Sequence, residues 1–409
     1  MNPLELSTID PAAPLDDLEP LAELLAGARV IAIGENAHLI SEFYRIRHRL
    51  QRFLSARLGF TAYAMETGFS EGLEVDAGIR DASADLRKIA DEKICYTMGR
   101  CAEMRDHLTW MRSAEPPVRF FGLDVPGSTA SPLAALANIR DFLHEADPGA
   151  VAVVDRLTAA VSPFAGEHAL PAYAAYGALS AADRDEITAV YADLSTRFDA
   201  LEPEYHAASY AVVRHELRLA VLLDQAMRVY AAQVTTPGGI PTIHPRVAPR
   251  DRGMAETVLW LLDHLGPDAK IIVAAHNSHI QRVPVQTPAF ALSAAGHHLA
   301  NRLGPEYLAI GVTCTGGRTS THRPDPGVPG GVAIVGADLD APEPGSIEAA
   351  MPDRLCAVDL RPLRAAAPPG APDRIRVMNI YQPTPVLDAF DLMINIPSIS
   401  TTSQVSPPG

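Results

Sequence analysis

Four apolar runs each end in a polar, titratable residue, and this pattern leaves the chain few ways to fold. They read Val30-Ile31-Ala32-Ile33 into Gly34-Glu35-Asn36-Ala37-His38, Ala62-Tyr63-Ala64-Met65 into Glu66, Phe120-Phe121-Gly122-Leu123 into Asp124, and Ile271-Ile272-Val273-Ala274-Ala275 into His276-Asn277-Ser278-His279. Short continuous apolar runs flanked by helical patterns are the signature of strands buried on both faces of a mostly parallel sheet. Ligands in such sheets sit beyond the carboxyl ends of the strands. One polar strand end is ordinary, because strands must exit into loops. Four ends carrying acids and imidazoles read as an active site.

The remaining periodicity completes an α/β order, a mostly parallel central sheet flanked by helices. Phe43, Ile46, Leu50, Phe53 and Leu54 lie at helical spacing and predict a helix over 41–58, and a second helical region spans 70–114. From 131 to 234 the strand signal disappears, and 133–144, 181–198 and 210–231 read as amphipathic helices. This stretch is expected to be a helical insertion or lid between two parts of the catalytic core, residues 1–130 and 235–400. A Pro/Gly loop at 236–241 closes it. Further strands are expected at 307–312, 332–335 and 392–396, separated by long Pro-rich loops. Residues 401–409 read as a disordered tail.

Charge narrows the partners. The 409 residues carry a formal charge of -15, which argues against nucleic acid and against an anionic membrane surface. The most apolar long stretch, 211–229, is broken by Arg214, Glu216, Arg218 and Asp224, so it is no membrane span. The four cysteines form no Cys-x-x-Cys pair. With no secretory signal pattern, a cytoplasmic protein acting on a small molecule is expected.

Glu35-x-x-His38 lies in a turn between a buried strand and a helix. A carboxylate there can hold one imidazole nitrogen and leave the other as a general base near neutral pH. His276-x-x-His279 ends another strand and supplies at most two metal ligands. With Glu35, His38, Glu66 and Asp124 it could complete a divalent-metal site, or the same set could run metal-free hydrolysis with one histidine as base and another facing an oxyanion. Arg47 sits nine residues past His38 on the following helix, within reach of the crest. Asp124 also suits a turn before Pro126-Gly127, and Asp251 suits the first turn of a helix. No phosphate-binding loop or dinucleotide fingerprint is present, which leaves nucleotide binding unsupported.

Taken in order, these segments resemble the erythromycin esterase family. The matching stretches are Gly34-Glu35-Asn36-Ala37-His38 with Glu42-Phe43 and Arg47, then Glu66, Gly122-Leu123-Asp124-Val125-Pro126, Arg250-Asp251-Arg252-Gly253-Met254-Ala255, Ala275-His276-Asn277-Ser278-His279, Gly296-His297-His298-Leu299-Ala300 and Asp388-Ala389-Phe390-Asp391. The resemblance implies hydrolysis of a macrolide or related lactone ester without a cofactor, although a divalent metal stays open. It implies His38 as the base that activates water and Glu35 as its orienter. Glu66, Arg47, His276 and His279 would position the water and stabilise the oxyanion. Asn36, Asp124, Arg250 and His297 are expected to face the substrate. Asn36 stands where macrolide esterases carry a small residue, and is expected to narrow or polarise the mouth. A second reading keeps the same site but has it cyclise, eliminate or transfer an acyl group on a polyketide-like substrate. A third is a catalytically idle binding protein, which the intact acid and imidazole set disfavours.

Overall fold

In this computed structural model the described residues are 3–205, 208–235, 248–286, 291–325, 327–328 and 332–405. The Pro/Gly stretch 236–241 and residues 406–409 lie outside them. Nine strands form the main sheet. They are β1 (Leu4–Glu5), β2 (Val30–Ile33), β3 (Ala62–Gly68), β4 (Arg119–Asp124), β5 (Ile271–Ala274), β6 (Tyr307–Pro324), β7 (Val332–Asp338), β8 (Cys356–Asp359) and β9 (Leu392–Ile399). Their spatial order is β1-β8-β9-β6-β2-β5-β3-β4, with β7 pairing β6. The six strands from β9 to β4 are mutually parallel. β1, β8 and β7 join antiparallel.

The apolar runs explain why these strands are central. β2, β3 and β5 are buried along their whole length. Alternate residues divide between two cores, as a period of two requires. Ile31, Ile33, Tyr63, Met65, Ile272 and Ala274 enter one. Val30, Ala32, Ala62, Ala64, Ile271 and Val273 enter the other. In register, Ile33 faces Ala274 and Ala274 faces Met65, so the strands end level with one another.

Helix α1 (Ser41–Leu58) covers the first core with Phe43, Ile46, Leu50, Phe53 and Leu54, and Arg47 lies on the same buried face. Gly59 ends it in the left-handed region, at φ 74°. Helix α2 (Phe69–Arg80) follows β3. The stretch 131–234 holds α3 (Leu133–Ala146), α4 (Val151–Val161), α5 (Ala169–Ala178), α6 (Ala181–Leu201) and most of α7 (Ala208–Thr235). These five pack around a third core that includes Ile139, Leu157, Leu194, Phe198 and Leu223. Helix α8 (Pro249–His264) leads back to β5, and α9 (Ala295–Leu303) precedes β6. Among the described residues no helix is long and apolar enough to cross a membrane.

Two expectations need correction. The strand expected at 307–312 continues to Pro324, because Arg318 to Pro324 pair with Val332 to Asp338. Residues 401–405 are not a loose tail. Thr401 bridges Ile40, the Thr402 N–H donates to the Leu39 carbonyl at 2.9 Å, and Val405 is buried.

A close approach at the end of β2 makes one glycine indispensable. The Asn277 amide donates to the Val312 carbonyl at 2.8 Å and accepts its N–H at 3.2 Å, tying the end of β5 to β6 across Gly34. A Cβ on Gly34 would overlap the Asn277 amide oxygen. Gly34→Ala is expected to destabilise the fold by ~1–3 kcal/mol, the usual scale of overpacking, as read by denaturant unfolding.

Candidate active site

The carboxyl ends of β2, β5, β3 and β4 lie side by side, so their terminal residues meet. Glu66 is the hub. Its side chain is only 3% exposed, and its Oε2 accepts the His276 backbone N–H at 2.8 Å. Its Oε1 accepts from Arg250 Nη2 at 2.9 Å, with His279 Nε2 at 3.4 Å and His38 Nε2 at 3.7 Å. Burial alone would raise this carboxyl. The imidazoles of His279 and His38 and the Arg250 guanidinium outweigh it and hold Glu66 well below the usual carboxylate range.

On one side stands His38, in the turn after β2 with 23% of its side chain exposed. Its Nδ1 lies 2.7 Å from Glu35 Oε1. Arg47 Nη2 in turn holds Glu35 Oε2 at 3.3 Å and donates to the Gly34 carbonyl at the same distance. Glu35 thus engages Nδ1–H and leaves Nε2 of the neutral ring as the basic nitrogen, directed at the Glu66 side of the crest. Burial pushes His38 down, but Glu66 and Glu35 more than offset it, and its pKa sits above the ordinary histidine value.

On the other side stands His279, in the single helical turn Asn277–Ile280. Its Nδ1 lies 2.7 Å from Asp251 Oδ1. Burial opposes its charge, yet Asp251 and Glu66 raise it to about 10, so the ring is an imidazolium near neutral pH. Arg250, one residue earlier in α8, bridges Glu66 to Asp124, meeting both Asp124 oxygens at 2.7–3.2 Å. The first turn of α8 therefore holds two cations beside Glu66: Arg250 itself, and His279 through Asp251.

His276 is a different kind of group. Its Nδ1 accepts the Ser278 N–H at 3.1 Å, which places the ring proton on Nε2, and that N–H donates to the Asn36 carbonyl at 3.0 Å. Burial, with His38 nearby, pushes it down to about 4. It is a neutral brace between β5 and the β2 turn, with both nitrogens engaged.

The fold thus gathers Glu35, His38, Arg47, Glu66, Asp124, Arg250, His276 and His279. Four expected placements differ. Asn36 does not line the mouth. Its side chain is fully buried and points inward, donating to Thr313 Oγ1 at 3.3 Å, because the turn exposes His38 and turns Asn36 under the crest. Arg47 (2% exposed) and Asp124 (0%) lie beneath the surface, one behind Glu35 and one behind Arg250, so neither can meet a substrate directly. His297 lies on α9, and its contact among the described residues is with His298, not with the cluster.

Asp251 is the residue whose partner the sequence did not disclose. An acid at the third position of a helix reads as a first-turn residue. Its reach to His279, and to the Ala295 N–H at 3.0 Å, depends on how α8, α9 and β5 converge. Asp251→Asn is expected to lower the His279 pKa from about 10 by at least ~1 unit, followed by NMR titration of the ring, since an adjacent charge shifts such a group by that much.

As for an ion, no three His, Cys, Asp or Glu among the described residues are grouped to hold one. The donors that would ligate it are engaged: Glu66 by Arg250 and the His276 N–H, Asp124 by Arg250, and His276 Nδ1 by the Ser278 N–H.

The erythromycin esterase family model matches residues 56–399. The chain belongs to the erythromycin esterase family. It is 28% identical to erythromycin esterase type II of Escherichia coli, with 95% of this chain and 94% of that protein aligned. It is 27% identical to erythromycin esterase type I of the same organism, covering 96% of each. Among solved structures, an erythromycin esterase EreC mutant in its open conformation superposes with a TM-score of 0.87 at 24% identity, covering 99% of this chain and all of that one. A succinoglycan biosynthesis protein shares the fold, with a TM-score of 0.75 at 20% identity, 98% of this chain and 95% of that one aligned.

Proposed function

We propose that this protein is a hydrolase that opens the lactone ester of a macrolide or a related lactone, using water activated by His38. The observation that carries the reading is the pairing of one partly exposed, Glu35-anchored imidazole with two cations held around Glu66. A water between His38 Nε2 and Glu66, which are 3.7 Å apart and so not directly bonded, would lose its proton to Nε2 as its oxygen attacks the carbonyl carbon. The carbonyl oxygen becomes an oxyanion, and Arg250 and the His279 imidazolium are the donors near it. When the C–O bond breaks, the His38 imidazolium returns the proton to the departing alkoxide. The products are an alcohol and a carboxylic acid that ionises by releasing one proton to solvent, with no covalent enzyme intermediate. Arg47, Asp124, Asp251 and His276 act through these groups, as positioning residues.

The macrolide as substrate comes from the relatives, whose names specify erythromycin. The test is mass spectrometry of a 14-membered macrolide and of simpler lactones incubated with the protein in ¹⁸O-water, with and without chelator. A ring-opened acid carrying the label, formed equally with chelator and absent with His38→Ala, is the expected result. An isomeric, unlabelled product would replace hydrolysis by cyclisation or elimination at the same crest.

A further inference from the structure

Outward from His38 runs a row of rings that the hydrolytic step does not use. Tyr96 stacks on His38 with centroids 6.4 Å apart and planes 10° from parallel. His168 meets Tyr96 edge-on at 5.7 Å, and His322 meets His168 at 6.2 Å. The three come from remote parts of the chain: Tyr96 from the turn Cys95–Arg100, His168 from the cap of α5, and His322 from β6. His322 is exposed, while Tyr96 and His168 are half-buried, so the row leads from the crest to solvent.

Two features show that the row is held in place. Tyr96 and Thr97 occupy the left-handed region, with φ 55° and 60°, which is costly for side chains other than glycine. The Tyr96 hydroxyl donates to the Ser128 carbonyl at 2.6 Å, and Ser128 and Thr129 are themselves left-handed, with φ 45° and 77°. Two strained turns therefore brace one ring against His38. The His168 Nδ1 accepts the Leu170 N–H at 3.2 Å, which fixes that ring and leaves its proton on Nε2. The faces are uncharged near neutral pH. Burial lowers His168 and raises the Tyr96 phenol, and His322, though open to solvent on one side, is lowered by desolvation against its neighbours and by His38 and His168.

Neutral ring faces with a few polar edges suit a bulky, uncharged, carbon-rich ligand. We propose that Tyr96, His168 and His322 form a subsite that binds the non-reacting ring face of the substrate; this rests on the hydrolytic reading above. Binding energy gathered there, away from the scissile bond, holds the ground state and the transition state alike, so its loss appears in KM.

Steady-state kinetics of the full chain on a 14-membered macrolide test this. His168→Ala and His322→Ala are each expected to raise KM by at least ~10-fold with kcat changed less than ~3-fold, the signature of lost uniform binding. His322→Phe, which keeps a ring, is expected to restore KM to within ~3-fold of wild type. Unchanged KM in both alanine variants, or His322→Phe as weak as His322→Ala, overturns the subsite. If the wild-type protein leaves the macrolide intact, the same comparison is made by calorimetric binding. A ring-dependent Kd then retains the subsite while hydrolysis falls. No binding, or a Kd indifferent to the rings, removes the subsite as well.

Discussion

Glu66→Gln is expected to lower macrolide turnover by at least ~100-fold, the scale of losing a group that aligns base and oxyanion donors. The argument is geometric. One oxygen of Glu66 faces Arg250, His279 and His38, and the other accepts the His276 N–H. A glutamine has one acceptor and one donor end, so whichever way it turns, an N–H meets an N–H. It also removes the negative charge that offsets two partly buried cations, Arg250 and the His279 imidazolium. Breaking a buried pair on one side costs about 3–5 kcal/mol, and the amide's remaining acceptor places the expected loss near the lower end of that range. Denaturant unfolding would read that loss, and circular dichroism would show the fold retained. Turnover within a few-fold of wild type would remove Glu66 from the centre of the mechanism.

The strand ends were legible because parallel topology does what the sequence pattern implies. Runs such as Ile271 to Ala275 are apolar at every position because both faces of β5 are buried, and the first polar residue after each run must emerge at the crest. Which strands are neighbours was not legible. β5 lies between β2 and β3 although more than two hundred residues separate it from β3 in the chain, and no local periodicity encodes that insertion. Side-chain direction within the turns was also hidden. Asn36 and His38 are two residues apart, yet one is buried and the other partly exposed, and the turn places Leu39 at φ 60°. Asp251 was ambiguous for the opposite reason, since its local role was sufficient to explain it. The rings at 96, 168 and 322 carry no common motif; only the tertiary structure aligns them.

The pH dependence isolates what Glu35 does. His38 must be neutral to act as base, and its pKa lies above the ordinary value of 6.5, so wild-type kcat/KM is expected to rise with pH along a limb above that value. Glu35 is one cause of the elevation, through its bond to Nδ1 and its charge. Glu35→Gln removes the charge, lowers the His38 pKa and moves the limb toward lower pH. The base is then free over a wider range, yet the plateau is expected to fall by roughly 100-fold, because the ring is no longer held with Nε2 toward Glu66. A merely structural Glu35 would lower the plateau without moving the limb. Arg47 complicates the single variant, since its guanidinium is 2% exposed and would lose its carboxylate partner. Glu35→Gln combined with Arg47→Met leaves no unpaired buried cation, so it should recover stability while keeping both the shifted limb and the low plateau. A double variant with wild-type pH dependence would show that Glu35 supports Arg47 and the turn, and that the His38 base is set by Glu66 alone.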